Sequence, residues 1–375
     1  MTEAAPSPPG PRERRLVFAC LAGRGREVLA PLLEGVDWDR VLALAGAVRV
    51  AEAVAHALLS AVALELPGAV RARLAELSAA AAARNALALH ELARAQEVLS
   101  AAGVPSAALK GAALLAAHHP SIAARQLGDV DLLVRPRDLA RAAGALAAAG
   151  VRAPGAALPS LDGSTGPLSR NPGSDHLRAL ETWGGFCLEL HDRLPGGGPG
   201  ADEVVAGARL VEWQGRPLAV PSVEDLAGML CCHVLVKHGG DEQLRARHVA
   251  DLAAMEASGP LDWDAVAARW RRRGERRAVQ LSRALLEAAR GAADGQADPA
   301  GWLDVLEGGP TALERLGAEA RELAGALRGP GWFRSAFPSR RYLEERFGLR
   351  RGSPWTPLLY PWRLVAGLAH RLVRR

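Results

Sequence analysis

The sequence has few aromatic residues, little net charge and no long apolar run. Phe, Trp and Tyr make up 4% of its 375 residues, and the formal net charge is +5 at pH 7. Proteins that follow long single-stranded nucleic acids use stacking aromatic side chains and a dense basic groove. A membrane-spanning helix needs about 20 consecutive apolar residues. The composition therefore disfavours a long nucleic-acid track and predicts no transmembrane segment.

Cysteine is also scarce, and its placement disfavours cysteine-based sites. The four cysteines are Cys20, Cys187, Cys231 and Cys232. They lack the spacing of metal ligands, and adjacent cysteines rarely form a disulfide with each other. Residues 1–15 are rich in proline and lack the apolar stretch and cleavage site of a secretory signal. We therefore expect reduced thiols, a disordered tail over residues 1–15 and a cytoplasmic protein.

Apolar residues recur at helical spacing in both ends of the chain. This period runs from residue 37 to 96 and returns after Pro221, whereas short strand-like segments lie between. The chain is also longer than one hydrophobic core usually organises. We predict an α+β protein with an N-terminal helical unit (16–102), a core (103–221) and a C-terminal helical unit (222–375).

The core segment alternates predicted strands and helices. Residues 104–109 predict a strand that leads into a helix over 112–118. Residues 129–134 alternate acidic and apolar side chains and predict a second strand. The next helix begins near Pro136 and closes at Gly150, with proline early and glycine just past its end.

The second half of the core predicts two strand pairs. Residues 151–175 are rich in Gly, Pro and Ser without periodicity and predict a surface loop. Residues 177–182 and 186–191 flank two glycines and predict a hairpin. Residues 210–213 and 217–220 predict a weaker pair of strands.

Three acidic residues on predicted strands are candidate metal ligands. Asp129 and Asp131 are two apart, so a strand directs both carboxylates to one face. Glu189 lies in a similar pattern on a later strand. Close carboxylates repel each other unless a cation lies between them, and Mg²⁺ prefers such oxygen ligands. A half-exposed strand with a solvated acidic face is the alternative interpretation.

Two basic positions precede the acidic strand and suit phosphate binding. Lys110 and Gly111 join a predicted strand to a helix, where backbone N–H groups and a lysine can hold phosphates. Arg125 could bind phosphate oxygens through its planar fork. The alternatives are an ordinary strand-to-helix turn and a solvated arginine.

Histidines and charged residues after the core form a separate candidate group. They could line an acceptor pocket, or they could form a buried polar cluster between helices. Their spacing fits no standard zinc pattern. His191 followed by Asp192 also suggests a metal-dependent phosphohydrolase, but that chemistry needs ligands on helices. The candidates for the site of a second substrate, the acceptor, are His191 within the core and His233, His238, Arg247 and Asp251 after it, with His248 in the same region.

These motifs together resemble a known family. The matching segments, in order, are Leu109-Lys110-Gly111, Arg125, Gly128-Asp129-Val130-Asp131-Leu132-Leu133-Val134 and Leu188-Glu189-Leu190-His191. Flanking matches are Asp37-Trp38, Asn85, His233, His238, Asp251 and Asp262-Trp263. The chain resembles the uncharacterised nucleotidyltransferases of the DNA polymerase β-like superfamily, found in bacteria and often near natural-product genes. The resemblance covers nearly the whole chain.

The resemblance implies a small mixed nucleotidyltransferase sheet between helical units. It implies Asp129, Asp131 and Glu189 as ligands of Mg²⁺, with two ions expected. It also implies a nucleoside triphosphate at Lys110-Gly111, with Arg125 and Gly128 nearby. The wider superfamily has Gly-Ser where this chain has Lys110-Gly111, so a lysine replaces the serine hydroxyl there.

The expected reaction is transfer of a nucleoside monophosphate from the triphosphate to an acceptor hydroxyl, with release of pyrophosphate. The acceptor could be a small molecule, a peptide or another molecule. Two alternatives stay open at this point. One is a non-catalytic member of the fold that binds a nucleotide or peptide, and the other is phosphoryl transfer from the same site.

Overall fold

The computed structural model describes residues 10–61, 63–152, 176–177, 179–237 and 242–296. Most of the predicted loop at 151–175, His238 and the end of the predicted C-terminal unit lie outside these ranges.

Helices account for most of the described chain. The α-helices are α1 (Pro11–Leu21), α2 (Arg26–Leu29), α3 (Trp38–Ala47), α4 (Ala51–Ser60), α5 (Gly68–Ala101), α6 (Lys110–Ala117), α7 (Leu139–Ala148), α8 (Ala201–Ala206), α9 (Val223–Cys232), α10 (Glu242–Ser258), α11 (Trp263–Arg269) and α12 (Arg273–Ala293). Short 3₁₀ helices cover Ala30–Leu32 and Pro136–Asp138, and α9 continues as a π-helix over His233–Lys237.

Six short strands form two sheets in the described residues. The strands are β1 (Ser106–Ala108), β2 (Asp129–Val134), β3 (Leu180–Glu181), β4 (Cys187–His191), β5 (Arg209–Trp213) and β6 (Arg216–Val220). The larger sheet has the order β1-β2-β4-β3, in which β2 and β4 are parallel and the other neighbours are antiparallel. Strands β5 and β6 pair separately. A small mixed sheet among helices confirms the predicted α+β class.

Polar side chains cap the first turns of two helices, α3 and α9. The Asp37 side chain accepts hydrogen bonds from two backbone N–H groups in the first turn of α3. Ser222 accepts one from the backbone N–H of Asp225 at the start of α9. These oxygens satisfy donors that have no partner inside the helix.

The predicted helical run after residue 37 is interrupted. Helix α3 ends in a Schellman turn, in which Val50 N donates to Ala45 O (2.8 Å) and Arg49 N donates to Gly46 O (3.1 Å). Arg49 holds φ +57°, a left-handed conformation that glycine usually occupies in such a turn. For a residue with a Cβ this conformation costs about 1 kcal/mol. The apolar period continues across the turn, so the sequence pattern contains no sign of it.

Strand β2 is buried on both faces. Val130, Leu132 and Val134 are fully buried on one side, and Asp131 on the other is only 1% exposed. The interpretation of a solvated acidic face is therefore wrong for Asp131. A carboxylate is held in the protein interior only where charged or hydrogen-bonding groups compensate it.

Two local expectations differ from the structure. Helix α1 begins at Pro11, so residues 11–15 of the predicted tail are helical, because proline is well suited to the first helical position. Helix α8 follows the glycine-rich stretch 195–200 and was not predicted, because its six residues are too few to establish a period. Among the described residues, no helix is long and apolar enough to cross a membrane.

Candidate active site

The parallel pairing of β2 and β4 brings the predicted metal ligands together. In this register Asp131 lies opposite Glu189, and Asp129 lies opposite Cys187 one step earlier on the same face. We call Asp129, Asp131 and Glu189 the carboxylate cluster. A one-residue slip would send the acids to the opposite face, so the register itself builds the site.

Lys110 lies inside the carboxylate cluster. Its Nζ is 2.6 Å from Asp131 Oδ1 and 3.3 Å from Glu189 Oε2. Burial lowers the pKa of Lys110, but the carboxylates outweigh that effect, and the net direction is upward. The lysine is therefore a permanent cation. The sequence pattern predicts it at the triphosphate, whereas here it neutralises two of the expected metal ligands.

The backbone of Lys110 helps to aim this side chain. Lys110 is the first residue of α6 and holds φ +47°. Leu109 N donates to Asp131 O (2.9 Å), which joins the turn to β2 just beside the cluster. The chain has only two lysines among its 46 basic residues, Lys110 and Lys237.

His191 completes the polar group on β4. Its Nε2 is 2.8 Å from Asp131 Oδ1 and 3.5 Å from Glu189 Oε2, and the side chain is fully buried. Burial lowers the pKa of His191, but hydrogen bonds to the two carboxylates raise it further, so the net direction is upward. Ligand atoms of Asp131, Glu189 and His191 lie within 4.8 Å of one another, close enough to hold one metal ion.

The carboxylate cluster fits a divalent cation. Asp131 Oδ2 is buried and has no hydrogen-bond partner among the described residues, so one ligand oxygen is left uncompensated. Burial and the neighbouring Asp131 charge raise the pKa of Asp129. A hard cation bound by these oxygens would give Asp131 Oδ2 a partner and would lower the pKa of Asp129.

Glu189 is better suited to be a ligand than a proton acceptor. Burial raises its pKa, but the hydrogen bond to His191 and the charge of Lys110 lower it well below the usual range. His176 Nε2 also approaches Glu189 Oε1 at 3.6 Å. A carboxylate held this firmly in its charged form binds cations well and accepts a proton poorly.

Arg125 lies against the start of α6. A Cβ added to Gly111 would overlap Arg125 Nη1 and come within 2.8 Å of Leu127 Cδ1, so only glycine leaves room for the guanidinium. Arg125 Nε donates to Asp251 Oδ1 (2.9 Å), and the same oxygen is 3.1 Å from His119 Nε2. Asp251 on α10 thereby links the C-terminal helices to the loop between α6 and β2, which carries Arg125.

Asn85 fixes the loop that carries Arg125. This fully buried residue of α5 donates through Nδ2 to the backbone oxygens of Ile122 (2.5 Å) and Arg125 (2.6 Å). Its Oδ1 accepts from Leu127 N (3.3 Å). The resemblance to the family includes Asn85 without a role, and the sequence signal for it is an amide within an alanine-rich stretch of helix.

The family of uncharacterised nucleotidyltransferases matches residues 34–291, which is well over half of the chain. The chain belongs to this family. It is therefore a transferase of phosphorus-containing groups, and the activity implies a nucleoside triphosphate as substrate. The match includes parts of both helical units and the strands that carry the carboxylate cluster. No curated protein matches the chain.

The nucleotidyltransferase also has a basic pocket beside Arg125. We call it the arginine pocket, and Arg247 and Asp251 from the predicted acceptor group line it. Its full lining is Arg49, Val50, Glu52, Ala53, His119, Ala124, Arg125, Gln126, Arg247, Ala250 and Asp251. The sequence pattern does not identify Arg49, because it lies in the turn between α3 and α4.

The other predicted acceptor residues do not join this pocket. His191 contacts Asp131 of the carboxylate cluster, and His233 lies in the π-helix after α9. His248 Nε2 contacts Ser282 Oγ (2.8 Å) in the interior, so it ties α10 to α12. Gly128 precedes β2 in open space, where an added Cβ would meet no heavy atom within 4 Å.

Proposed function

We propose that this nucleotidyltransferase uses Mg²⁺ to transfer a nucleoside monophosphate from a triphosphate to an acceptor hydroxyl. The observation that carries the proposal is the pairing of Asp131 with Glu189 across parallel strands, with Asp129 on the same face. The uncompensated Asp131 Oδ2 supports a bound cation there. Asp129, Asp131 and Glu189 would hold the metal, and two ions are expected from the chemistry of this enzyme class.

In the proposed reaction, the acceptor oxygen forms a bond to the α-phosphorus while the bond to the bridging oxygen of the β-phosphate breaks. Pyrophosphate leaves, and the hydroxyl proton passes to solvent or to a nearby base. Bound Mg²⁺ supplies charge neutralisation at the phosphates. Glu189 serves as a ligand, since its lowered pKa makes it a poor base.

Lys110 and the start of α6 are proposed to face the phosphates. The lysine balances the negative charge of Asp131 and Glu189, so its amine lies beside the position that a metal ion would take. Arg125 and the backbone at Gly111 lie at the same helix start. Helix N-termini and cationic side chains favour phosphate oxygens.

Binding of the triphosphate is the first test. Each Mg²⁺-nucleoside triphosphate is titrated into the purified protein by calorimetry, then into the Asp129→Asn/Asp131→Asn variant, and again without metal. We expect binding of at least one triphosphate that requires both the metal and the carboxylates. Absence of metal-dependent binding for all four triphosphates would contradict the proposal and favour a non-catalytic member of the family.

The position of a radioactive label then identifies the transferred group. Extracts separated into small-molecule and protein fractions are incubated with the enzyme and a triphosphate labelled at the α- or the γ-phosphate. Nucleotidyl transfer moves only the α label into an acceptor. Transfer of the γ label would instead establish phosphoryl transfer, which the same carboxylates could support.

A further inference from the structure

The arginine pocket has more cationic donors than its own residues use. Within the described ranges, the guanidinium groups of Arg49 and Arg247 make no hydrogen bond or ion pair. Arg125 uses Nε for Asp251 and Nη1 for Gln126 O, so Nη2 has no partner among the same residues. Unused guanidinium edges that converge on one pocket are donors available to an anion.

The acids of the pocket do not balance this charge. Asp251 is already engaged by Arg125 and His119, and Glu52 is the other acid in the lining. Burial and the nearby charge of Arg125 lower the pKa of Arg247, which is the signature of a cation without sufficient negative charge around it. Arg125 lies against Gly111, the neighbour of Lys110, whose Nζ contacts Asp131, so the pocket lies beside the carboxylate cluster.

Arg49 is an exposed residue of the pocket lining, and its backbone has a conformation that arginine rarely adopts. It has φ +57° at the glycine position of the Schellman turn after α3. Glycine would adopt this conformation without strain. A strained arginine at a pocket lined by two other arginines points to a role for its side chain.

We infer that the arginine pocket is a phosphate subsite adjoining the carboxylate cluster, formed by Arg49, Arg125 and Arg247. Several guanidinium edges suit a tetrahedral dianion, whereas one bidentate arginine is enough for a carboxylate. The identity of the phosphate rests on the proposed function. It belongs either to the far end of the triphosphate or to an anionic acceptor.

Two variants test this subsite without metal. Calorimetry with inorganic phosphate and pyrophosphate is run in EDTA on the wild type, Arg49→Gly and Arg247→Gln. We expect each variant to lose about tenfold or more in affinity, since one charge-assisted contact is removed. Arg49→Gly should keep or raise the unfolding midpoint, because it relieves the left-handed strain, so weaker binding cannot be attributed to misfolding.

The controls are exposed arginines outside the pocket, Arg26→Gln and Arg276→Gln, which remove the same charge. The Asp129→Asn/Asp131→Asn variant should still bind pyrophosphate in EDTA, because the pocket does not depend on the metal ligands. Failure of the proposed function would therefore leave this result intact. The subsite is overturned if the wild type binds neither probe, or if Arg49→Gly and Arg247→Gln bind as tightly as the control variants.

Competition distinguishes the two sources of the phosphate. Inorganic phosphate is titrated into the protein already saturated with a Mg²⁺-nucleoside triphosphate. If phosphate no longer binds, the pocket holds the terminal phosphates of the nucleotide. If phosphate binds as before and Arg247→Gln abolishes this binding, the pocket receives a phosphate of the acceptor.

Discussion

The carboxylate cluster and the arginine pocket are neighbouring regions with opposite charge and opposite states of compensation. The cluster already contains its own cation, because Lys110 contacts both Asp131 and Glu189. In the pocket, Arg49 and Arg247 form no ion pair within the described ranges. The carboxylates of the cluster are therefore paired with a lysine before any ligand binds, whereas the guanidinium groups of the arginine pocket need a bound anion to balance their charge.

Two buried histidines have pKa values that are shifted in opposite directions. In the cluster, hydrogen bonds to acids raise the pKa of His191 despite its burial. On α10, next to Arg247, burial lowers the pKa of His248 to about 4. Protonation is therefore favoured at His191, beside the carboxylate cluster, and opposed at His248, which lies outside the arginine pocket and contacts Ser282.

The largest expected effect is the loss of metal-dependent triphosphate binding when the carboxylate cluster is changed. Asp131→Asn removes the charge of a proposed metal ligand and the charged partner of both Lys110 and His191. Loss of an outer-shell partner alone costs about 10–100-fold, so we expect more than about 100-fold weaker binding of the Mg²⁺-triphosphate. Calorimetry measures it, and Asp202→Asn, which breaks an exposed ion pair with Arg137, is the matched control. Equal affinities would remove Asp131 from the site.

The next effect concerns the loop between the two regions. Asn85→Ala leaves three backbone groups without their partner, so we expect a loss of about 2–3 kcal/mol in the free energy of unfolding, measured with urea. Gln96→Ala is the control, because Gln96 on the same helix bonds to the backbone of Ala219 on β6, away from Arg125. Both variants should be destabilised, and only Asn85→Ala should also weaken triphosphate binding. The same binding for both would show that the loop position does not matter.

Acid should destabilise the packing of α10 against α12 through His248. Its folded pKa of about 4 is below the unfolded value near 6.5. The stabilising contribution is therefore present above pH 6.5 and is lost as the pH falls toward 4. Between pH 7 and 5 this loss is about 2 kcal/mol, and His248→Gln should remove it from the pH dependence of urea unfolding. His191 titrates in both proteins, so it cancels in the difference, and identical pH slopes would contradict the prediction.

The smallest expected effect comes from a steric clash at Gly111, which lies between the carboxylate cluster and the arginine pocket. Gly111→Ala forces Arg125 and Leu127 to shift, which we expect to cost about 1 kcal/mol of stability and to weaken phosphate binding. Gly128→Ala introduces the same methyl group nearby in open space. A thermal melt and a pyrophosphate titration compare the two, and equal behaviour would mean that Arg125 is not held as described.

The local patterns were sufficient for much of the fold. Strand β2 has the predicted bounds because alternation of acidic and apolar residues is strong there, and the Asp37 and Ser222 caps mark helix starts. Asp131 and Glu189 were both candidate metal ligands on the strength of their strand patterns, but the pattern did not predict that their strands pair in parallel. Parallel pairing of distant strands has no local signal, since its register depends on the packing of both faces.

Other parts of the site could not be derived from local pattern. The apolar period hides the turn at Arg49, because an arginine replaces the glycine that usually marks it. The direction of the Lys110 side chain depends on a left-handed backbone that the sequence does not indicate. The scarcity of lysine was an available signal, since a chain that uses arginine almost everywhere retains a lysine at this position.

Because the chain has only two lysines, the chemical reactivity of the Lys110 amine can be followed with little interference from other lysines. Its amine is charged and only 12% exposed while it contacts Asp131, so acylating reagents should modify it slowly. A metal ion that takes the same carboxylate oxygens displaces the amine and changes its reactivity. Peptide mass mapping of Lys110, with Lys237 as the internal reference, would then measure cation occupancy before any substrate is known.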